Sequence, residues 1–338
     1  MGSFLREMLR RLGAAFKSRN GTEAREPSCS GTLAQEVEYV VDQTYRRLRF
    51  LSGYSQRLQG PTATTVRYIE ALIERVPEAI LCSRATFSED LRVNAFFADP
   101  DHLQEVFSQS AEVHERLLAD PTAEECWALL CMKKQEHRQL GLSLVGDRVK
   151  KDVMQTTVSF VDHQILSPAT SEAGARHSLK CCIFNGLLTH IRKRTRDEKI
   201  RLLELENRRD YLTAHLHRND SEQGSESRAA LQRELDELGK TLAREISRSA
   251  SLASRLDFVA DILGNPEQYI SGSLSPIHLS RMGVRLDGKR ADDDHEIPLF
   301  AIRVASQGTR IAALVRFPRT ELRPRRDLIH EADLFLTV

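Results

Sequence analysis

Side chains with chemistry in them are thinly spread along this chain. His163 follows Asp162 in the stretch Val158–Leu166, with Asp152 and His177 nearby in sequence. Two imidazoles and two carboxylates are the donor types of a metal site or an acid–base pair. The spacing argues against both. Asp162 and His163 are neighbours in a segment that reads as a strand, where successive side chains point to opposite faces. Only one of them can face a given pocket. The expectation for His163 is structural, a hydrogen bond at a sheet–helix junction. An enzyme site around Asp152 and His163 is the alternative. His102, His114 and His137 have no metal-ligand spacing and read as surface residues. Cys181 and Cys182 are adjacent, poor geometry for pairing with each other, and read as packing residues. Arg316, Arg319, Arg323, Arg325 and Arg326 form a basic cluster held extended by Pro318 and Pro324. Such a cluster suits phosphates, and a solvated surface segment is the simpler expectation. No P-loop, GxSxG, HExxH or GxGxxG occurs. No catalytic residue, metal or cofactor is expected.

One short segment carries a family resemblance. His278-Leu279-Ser280-Arg281-Met282-Gly283-Val284 resembles the second motif of PilZ domains, in which Asp or Asn is followed by any residue, Ser, two residues and Gly. Ser280 and Gly283 match, and His278 replaces the acid or amide. The family's other motif is Arg, three residues, Arg. Arg244 and Arg248 have that spacing about 30 residues upstream, but inside a heptad run, where the family has a flexible segment leading into its barrel. The resemblance covers at most about the last 90 residues. It implies a C-terminal region that binds cyclic di-GMP, with Arg244, Arg248, Ser280 and Gly283 as contacts. Guanidinium groups bind phosphates bidentately and stack on guanine. A turn between two strands, with Ser and Gly there for backbone reasons, accounts for the same residues.

The elements that would position these groups follow from periodicity. Phe4, Leu5, Met8, Leu9, Leu12 and Phe16 recur at helical spacing among Arg6, Arg10, Arg11 and Lys17. Residues 1–17 are thus a basic amphipathic helix, which docks on a core or a partner, or lies on a membrane surface. Residues 18–32 are polar and rich in Gly, Pro and Ser, a linker. Residues 33–134 read as helical throughout. Pro61 is placed at a helix start, and Asp99-Pro100 and Asp120-Pro121 open helices of about 100–118 and 121–135. Strands of about 139–145 and 153–166 pair as a hairpin around Gly146-Asp147. From about 168, Leu188, Ile191, Leu202, Leu205, Leu212 and Leu216 keep a 3,4 spacing, which resumes after a polar loop at Leu231, Leu235, Leu238 and Leu242 and runs to Leu263. That is an antiparallel coiled-coil hairpin over 168–264. Gly264-Asn265-Pro266 stops it. Short strands over 277–286, 297–305, 310–317 and 334–338 make 265–338 a β-rich region carrying the acidic loop 292–294.

Bulk composition limits the functions open to it. The 49 basic and 48 acidic side chains leave a formal charge of +1. A dedicated nucleic-acid binder would carry a basic excess, so no nucleic acid is expected. The six cysteines form no CxxC pair, which suits a reducing compartment. No apolar run of membrane-spanning length and no secretory signal is evident. The expectation is a cytoplasmic protein, peripheral to the membrane if residues 3–17 touch it.

The expected fold class is mainly α (α+β). It comprises a helical bundle with a small hairpin (33–167, hairpin 139–166), a long coiled-coil arm, and a small β-rich C-terminal region. A chain with an arm and no catalytic constellation is expected to be an interaction or scaffolding protein. Its expected partner is another protein or a second copy, held through the coiled coil. The two alternatives are a cyclic di-GMP sensor and the enzyme around Asp152 and His163.

Overall fold

A computed structural model describes residues 31–145, 148–218, 225–249, 251–286, 296–305 and 308–324. The expected helix 1–17, most of the linker, the turn Gly146-Asp147, the loop 219–224, the acidic loop and the last strand lie outside them.

The chain opens with α1 (Leu33–Gln43), a short 3-10 turn (Arg46–Phe50) and α2 (Tyr54–Glu74). A two-residue strand β1 (Ile80–Leu81) leads into four short helices: α3 (Arg84–Glu89), α4 (Leu91–Phe96), α5 (Pro100–Ser108) and α6 (Ala111–Ala119). Two long strands follow, β2 (Glu125–Val145) and β3 (Arg148–Ala169). Then come the helices α7 (Glu172–Arg218), α8 (Ser225–Ser249) and α9 (Leu252–Gly264), and the strands β4 (Ile270–His278), β5 (Glu296–Val304) and β6 (Thr309–Pro318).

All six strands belong to one sheet, in the order β3-β2-β6-β5-β4, with β1 added in parallel beside β6. The other pairs are antiparallel. The sheet also curls shut. After β4 the chain turns at Ser280–Gly283, and residues 284–286 lie between the end of β4 and the outer edge of β3. Leu286 N donates to His278 O at 2.9 Å on one side. On the other, Val158 N donates to Gly283 O and Arg285 N to Thr156 O, both at 2.8 Å.

The two faces bury separate cores, which is why the strands read as apolar runs. Cys126, Ala128, Leu130 and Met132 of β2 face the four short helices, with Val93, Phe96, Leu103 and Phe107. Leu129 and Cys131 face the opposite way, toward α1, α2, α7 and α9. β6 alternates likewise, Ala313, Val315 and Phe317 against Ala312 and Leu314.

The expected fold class is corrected on this point. Among the described residues there is no separate small hairpin and no separate β-rich C-terminal region: β2 and β3 from before the arm and β4 to β6 from after it share one sheet. The expected helix 121–135 is likewise replaced, from Glu125 on, by β2. A continuous apolar run of this length fits a strand buried on both faces as well as a helix, and pairing with β6 decides it. Asp120 caps a turn, accepting from Thr122 N and Oγ1 at 3.2 and 2.7 Å. Asp99 does start α5, accepting from His102 N at 2.7 Å, with Pro100 in the first turn. Pro61 lies inside α2, which begins at Tyr54 because Leu58 is already buried in the core.

β3 is longer than β2 for the same pairs. Between Trp127 and Leu129, Cys131 and Lys133, and Gly141 and Ser143, three steps on β3 oppose two on β2. Each bulge holds a residue with positive φ: Ser167 at +54°, Asp162 at +57° and Asp152 at +59°. Asp enters this region more readily than most residues, and each bulge bends and twists the strand. Beyond Met132 the β2–β3 ribbon has no β6 partner and projects, its cross-strand pair Leu140 and Met154 each 63% exposed.

Closure of the sheet leaves no room at Gly283. Its φ is +72°, and a Cβ there would sit 2.9 Å from the Val158 carbonyl oxygen. Gly283→Val is expected to cost about 1–3 kcal/mol in urea unfolding. Gly239→Ala, on α8 with nothing near its Cβ position, should gain about 0.5–1 kcal/mol. Equal effects at the two sites would refute the closure argument.

Candidate functional site

The heptad leucines build an arm. α7 is 47 residues long, about 70 Å at 1.5 Å per residue. Its first turns belong to the body, where Ala175, Leu179, Ile183, Phe184, Leu187, Leu188 and Ile191 are buried. Ser171 caps it, accepting from Gly174 N at 3.2 Å. Past Ile191, Leu212 is the single buried residue among those described on α7. Farther out α7 pairs with α8. Arg208 bonds Glu234 at 2.8 Å and Arg201 approaches Glu245 at 3.8 Å, so the two helices run antiparallel. The second limb, α8, runs to Ser249. Ser251 caps α9, accepting from Ser254 N at 2.9 Å, and α9 packs back on α2, where Arg57 pairs with Asp257.

The seam is thinly covered. Leu212 and Leu242 are buried, but Leu202, Leu205, Leu216, Leu231, Leu235 and Leu238 are only half-buried. A second apolar stripe lies on α7 away from the seam. Ile200, Leu203 and Tyr211 are 42%, 49% and 62% exposed, and at 3.6 residues per turn they fall within about 80° of one another. Asn207 lies between them on the same stripe. Periodicity named the seam and missed this stripe, although Ile200 and Leu203, each next to Leu202 or two residues before it, were the signal.

The residues singled out by their chemistry are dispersed. His163 Nε2 donates to Phe96 O at 2.7 Å, joining β3 to the end of α4. Its ring stacks on Phe97 at 5.3 Å and meets His102 edge-on at 5.0 Å. Asp162 instead pairs with Lys133 and Arg310, both at 3.0 Å. Burial pushes its carboxyl up, but the two cations outweigh that and hold it below the usual range. Asp152 is exposed, ten residues along the strand, about 33 Å away. His177 faces solvent, 3.6 Å from Cys181 Sγ, and Cys182 Sγ lies 2.9 Å from Ser167 Oγ. The adjacent thiols thus have different partners. Among the described residues no group of three or more His, Cys, Asp or Glu is placed to hold a metal ion.

The described part of the basic cluster is already occupied. Arg319 donates to the carbonyls of Pro121 and Ala123 at 2.8 and 3.0 Å and reaches Leu117 O, closing the end of α6. Arg323 bonds Asp101 at 2.7 Å, and Arg316 sits over the Trp127 ring at 5.9 Å. Arg325 and Arg326 lie outside the described residues.

Ser280 and Gly283 make the turn itself. Gly283 N donates to Ser280 O at 2.9 Å, and Val284 N to Ser280 Oγ at 3.2 Å. The turn touches α3 through Arg281, which donates to Ser88 O at 3.0 Å. Arg244 and Arg248 are on the last turns of α8, beside Glu245, whose neighbour is Arg201 of α7. The two halves of the motif therefore meet different elements. A helical ruler separates those elements. Arg57 of α2 meets α9 and Leu72 lies over Gly272 of β4, a 57-to-72 span of about 22 Å.

No protein-family model, curated protein or solved structure matches this chain.

Burial pushes the His163 imidazole below 6.5, with the Phe96 hydrogen bond acting the other way. Burial and the neighbouring Arg194 and Lys193 push His190 down too. The unfolded chain therefore takes up protons first as pH falls through about 6.5, and stability drops in that window. The thermal midpoint is expected to fall between pH 7.5 and about 5.5, with a shallower slope in His163→Gln. An unchanged slope would contradict the buried neutral imidazole.

Proposed function

We propose that this is an interaction protein whose α7–α8 arm docks another protein, in the first instance a second copy of itself. The observation that carries the reading is the unfinished burial of the arm. A two-helix coil with six half-buried seam leucines gains stability by adding helices, as in four-helix bundles. The stripe Ile200–Leu203–Tyr211 offers a further apolar face, and Asn207 within it is the kind of residue that sets register between helices. Among the described residues no helix is long and apolar enough to cross a membrane. Contact of residues 3–17 with a membrane surface stays part of this proposal.

Light scattering on the eluting full chain tests self-association. A dimer or larger species is expected, and Ile200→Glu with Leu203→Glu should return it to a monomer with unchanged helical circular dichroism. A monomer at every attainable concentration would remove the self-association reading.

A second reading is a cyclic di-GMP sensor. Supporting it is the position of the PilZ-like turn, Ser280–Gly283, where the chain passes from β4 to the edge of β3. The separation of Arg244 and Arg248 from Ser280 weighs on the other side. Calorimetric titration with cyclic di-GMP decides it: heat at micromolar protein supports the sensor, and its absence removes it.

A further inference from the structure

The arm has a cleft at its root. Tyr45 precedes the 3-10 turn, Arg47 lies within it, Thr195 and Lys199 are four residues apart on α7, and Arg255 is in the first turns of α9. Together they line a cleft of about 430 Å³, the volume of a small-molecule site. Cationic residues from three different elements thus line it. One carboxylate offsets them, Glu198, at 3.8 Å from Arg255.

Two carboxylates beside the 3-10 turn, Glu38 and Asp42, are already engaged. Within the same turn Arg49 bonds both Glu38 and Asp42, at 2.9 and 3.0 Å, and Arg46 reaches Asp42 at 3.4 Å. Arg47, between them, has no carboxylate partner among the described residues, and neither has Lys199. The turn is pinned by Leu48, which is fully buried, and Arg47 beside it is exposed at the wall of the cleft. Arg255 is fixed over the Tyr45 ring at 5.2 Å with its side chain 18% exposed. Thr195 Oγ1 spends its proton on Ile191 O at 3.1 Å, leaving its lone pairs as an acceptor. The Tyr45 hydroxyl adds a donor. A concave site with unpaired cations concentrates anions, and guanidinium and ammonium groups together suit phosphate oxygens.

We propose that this cleft binds a small oligophosphate, a phosphate chain of two or more charges, free or attached to a nucleoside. Bound there, the anion neutralises Arg47, Lys199 and Arg255 at once. It thereby ties the 3-10 turn, α7 and α9 together where the arm leaves the body.

Titration calorimetry on the full chain at low salt tests this, with inorganic tripolyphosphate, ATP and adenosine as probes. Saturable micromolar binding of tripolyphosphate or ATP is expected, and none of adenosine. Arg47→Gln and Lys199→Gln, both exposed, should each weaken binding about fivefold or more, since each removes one of the three charges lining the cleft. Lys240→Gln, an arm lysine engaged with Glu237 at 3.0 Å, should leave it unchanged. Equal affinity for the two anions assigns recognition to the phosphate chain alone, and tighter ATP adds the nucleoside. No saturable heat from either anion, or equal losses in all three variants, would overturn the proposal.

Discussion

The backbone hydrogen bond from Val158 N to Gly283 O, 2.8 Å long, joins segments 125 residues apart. With its neighbour from Arg285 N to Thr156 O, it is what turns an open six-stranded sheet into a closed one. An open sheet would leave β3 and β4 as free edges, and a free edge is a template for unwanted pairing. Closure also decides what is inside. The face carrying Val158, Phe160 and Ile165 curls around the core filled by Phe96, Phe107 and Phe317. The other face, with Leu129 and Leu314, is left for α2, α7 and α9 to cover. The arm is held by that second layer, so its direction depends on the barrel beneath.

The insertion of the arm between β3 and β4 has a physical consequence. Both ends of the helical hairpin must return to one small area of the body. Buried residues of α7 up to Ile191, and of α9 from Leu256 to Leu263, fix those two ends in the same core. α8 has no such anchor. It is held by the seam and by exposed ion pairs such as Arg208–Glu234, which contribute little individually. α9, capped by Ser251, leaves the seam and packs on α2.

Local chemistry made part of this legible in the sequence. Asp99-Pro100 opens α5, Gly264-Asn265-Pro266 ends α9, and the heptad leucines mark the arm. β5 and β6 fall within a residue or so of the expected strands. What could not be read was pairing across long separations. Glu125–Met132 is apolar without a period, and pairing with β3 on one side and with β6, some 180 residues later, on the other makes it a strand rather than a helix. The bulges were half visible. The every-second-residue series Gln155, Thr157, Ser159, Val161 skips to Gln164, and that missed beat is the bulge at Asp162. It also explains why His163 reaches Phe96 while Asp162 meets Lys133 and Arg310. The Ser280–Gly283 turn was legible both as a PilZ-like motif and as plain backbone geometry, and its hydrogen bonds show the backbone role directly.

The two projections from the body differ in what supports them. The β2–β3 ribbon has two strands and the exposed pair Leu140–Met154, and two strands alone are marginal in water. The arm has two helices and a half-covered leucine seam. Both carry more apolar surface than a finished element needs, but only the arm is continuous with a site at its base. There, Arg255 ties α9 to Tyr45 and lies 3.8 Å from Glu198 of α7. A charge held at that junction acts on the arm near its root, where past Ile191 the contacts of α7 with the body include Arg194 over the Phe258 ring and Glu198 beside Arg255. The angle of the arm is therefore set by few interactions, and Arg47, Lys199 and Arg255 are the ones an anion can change.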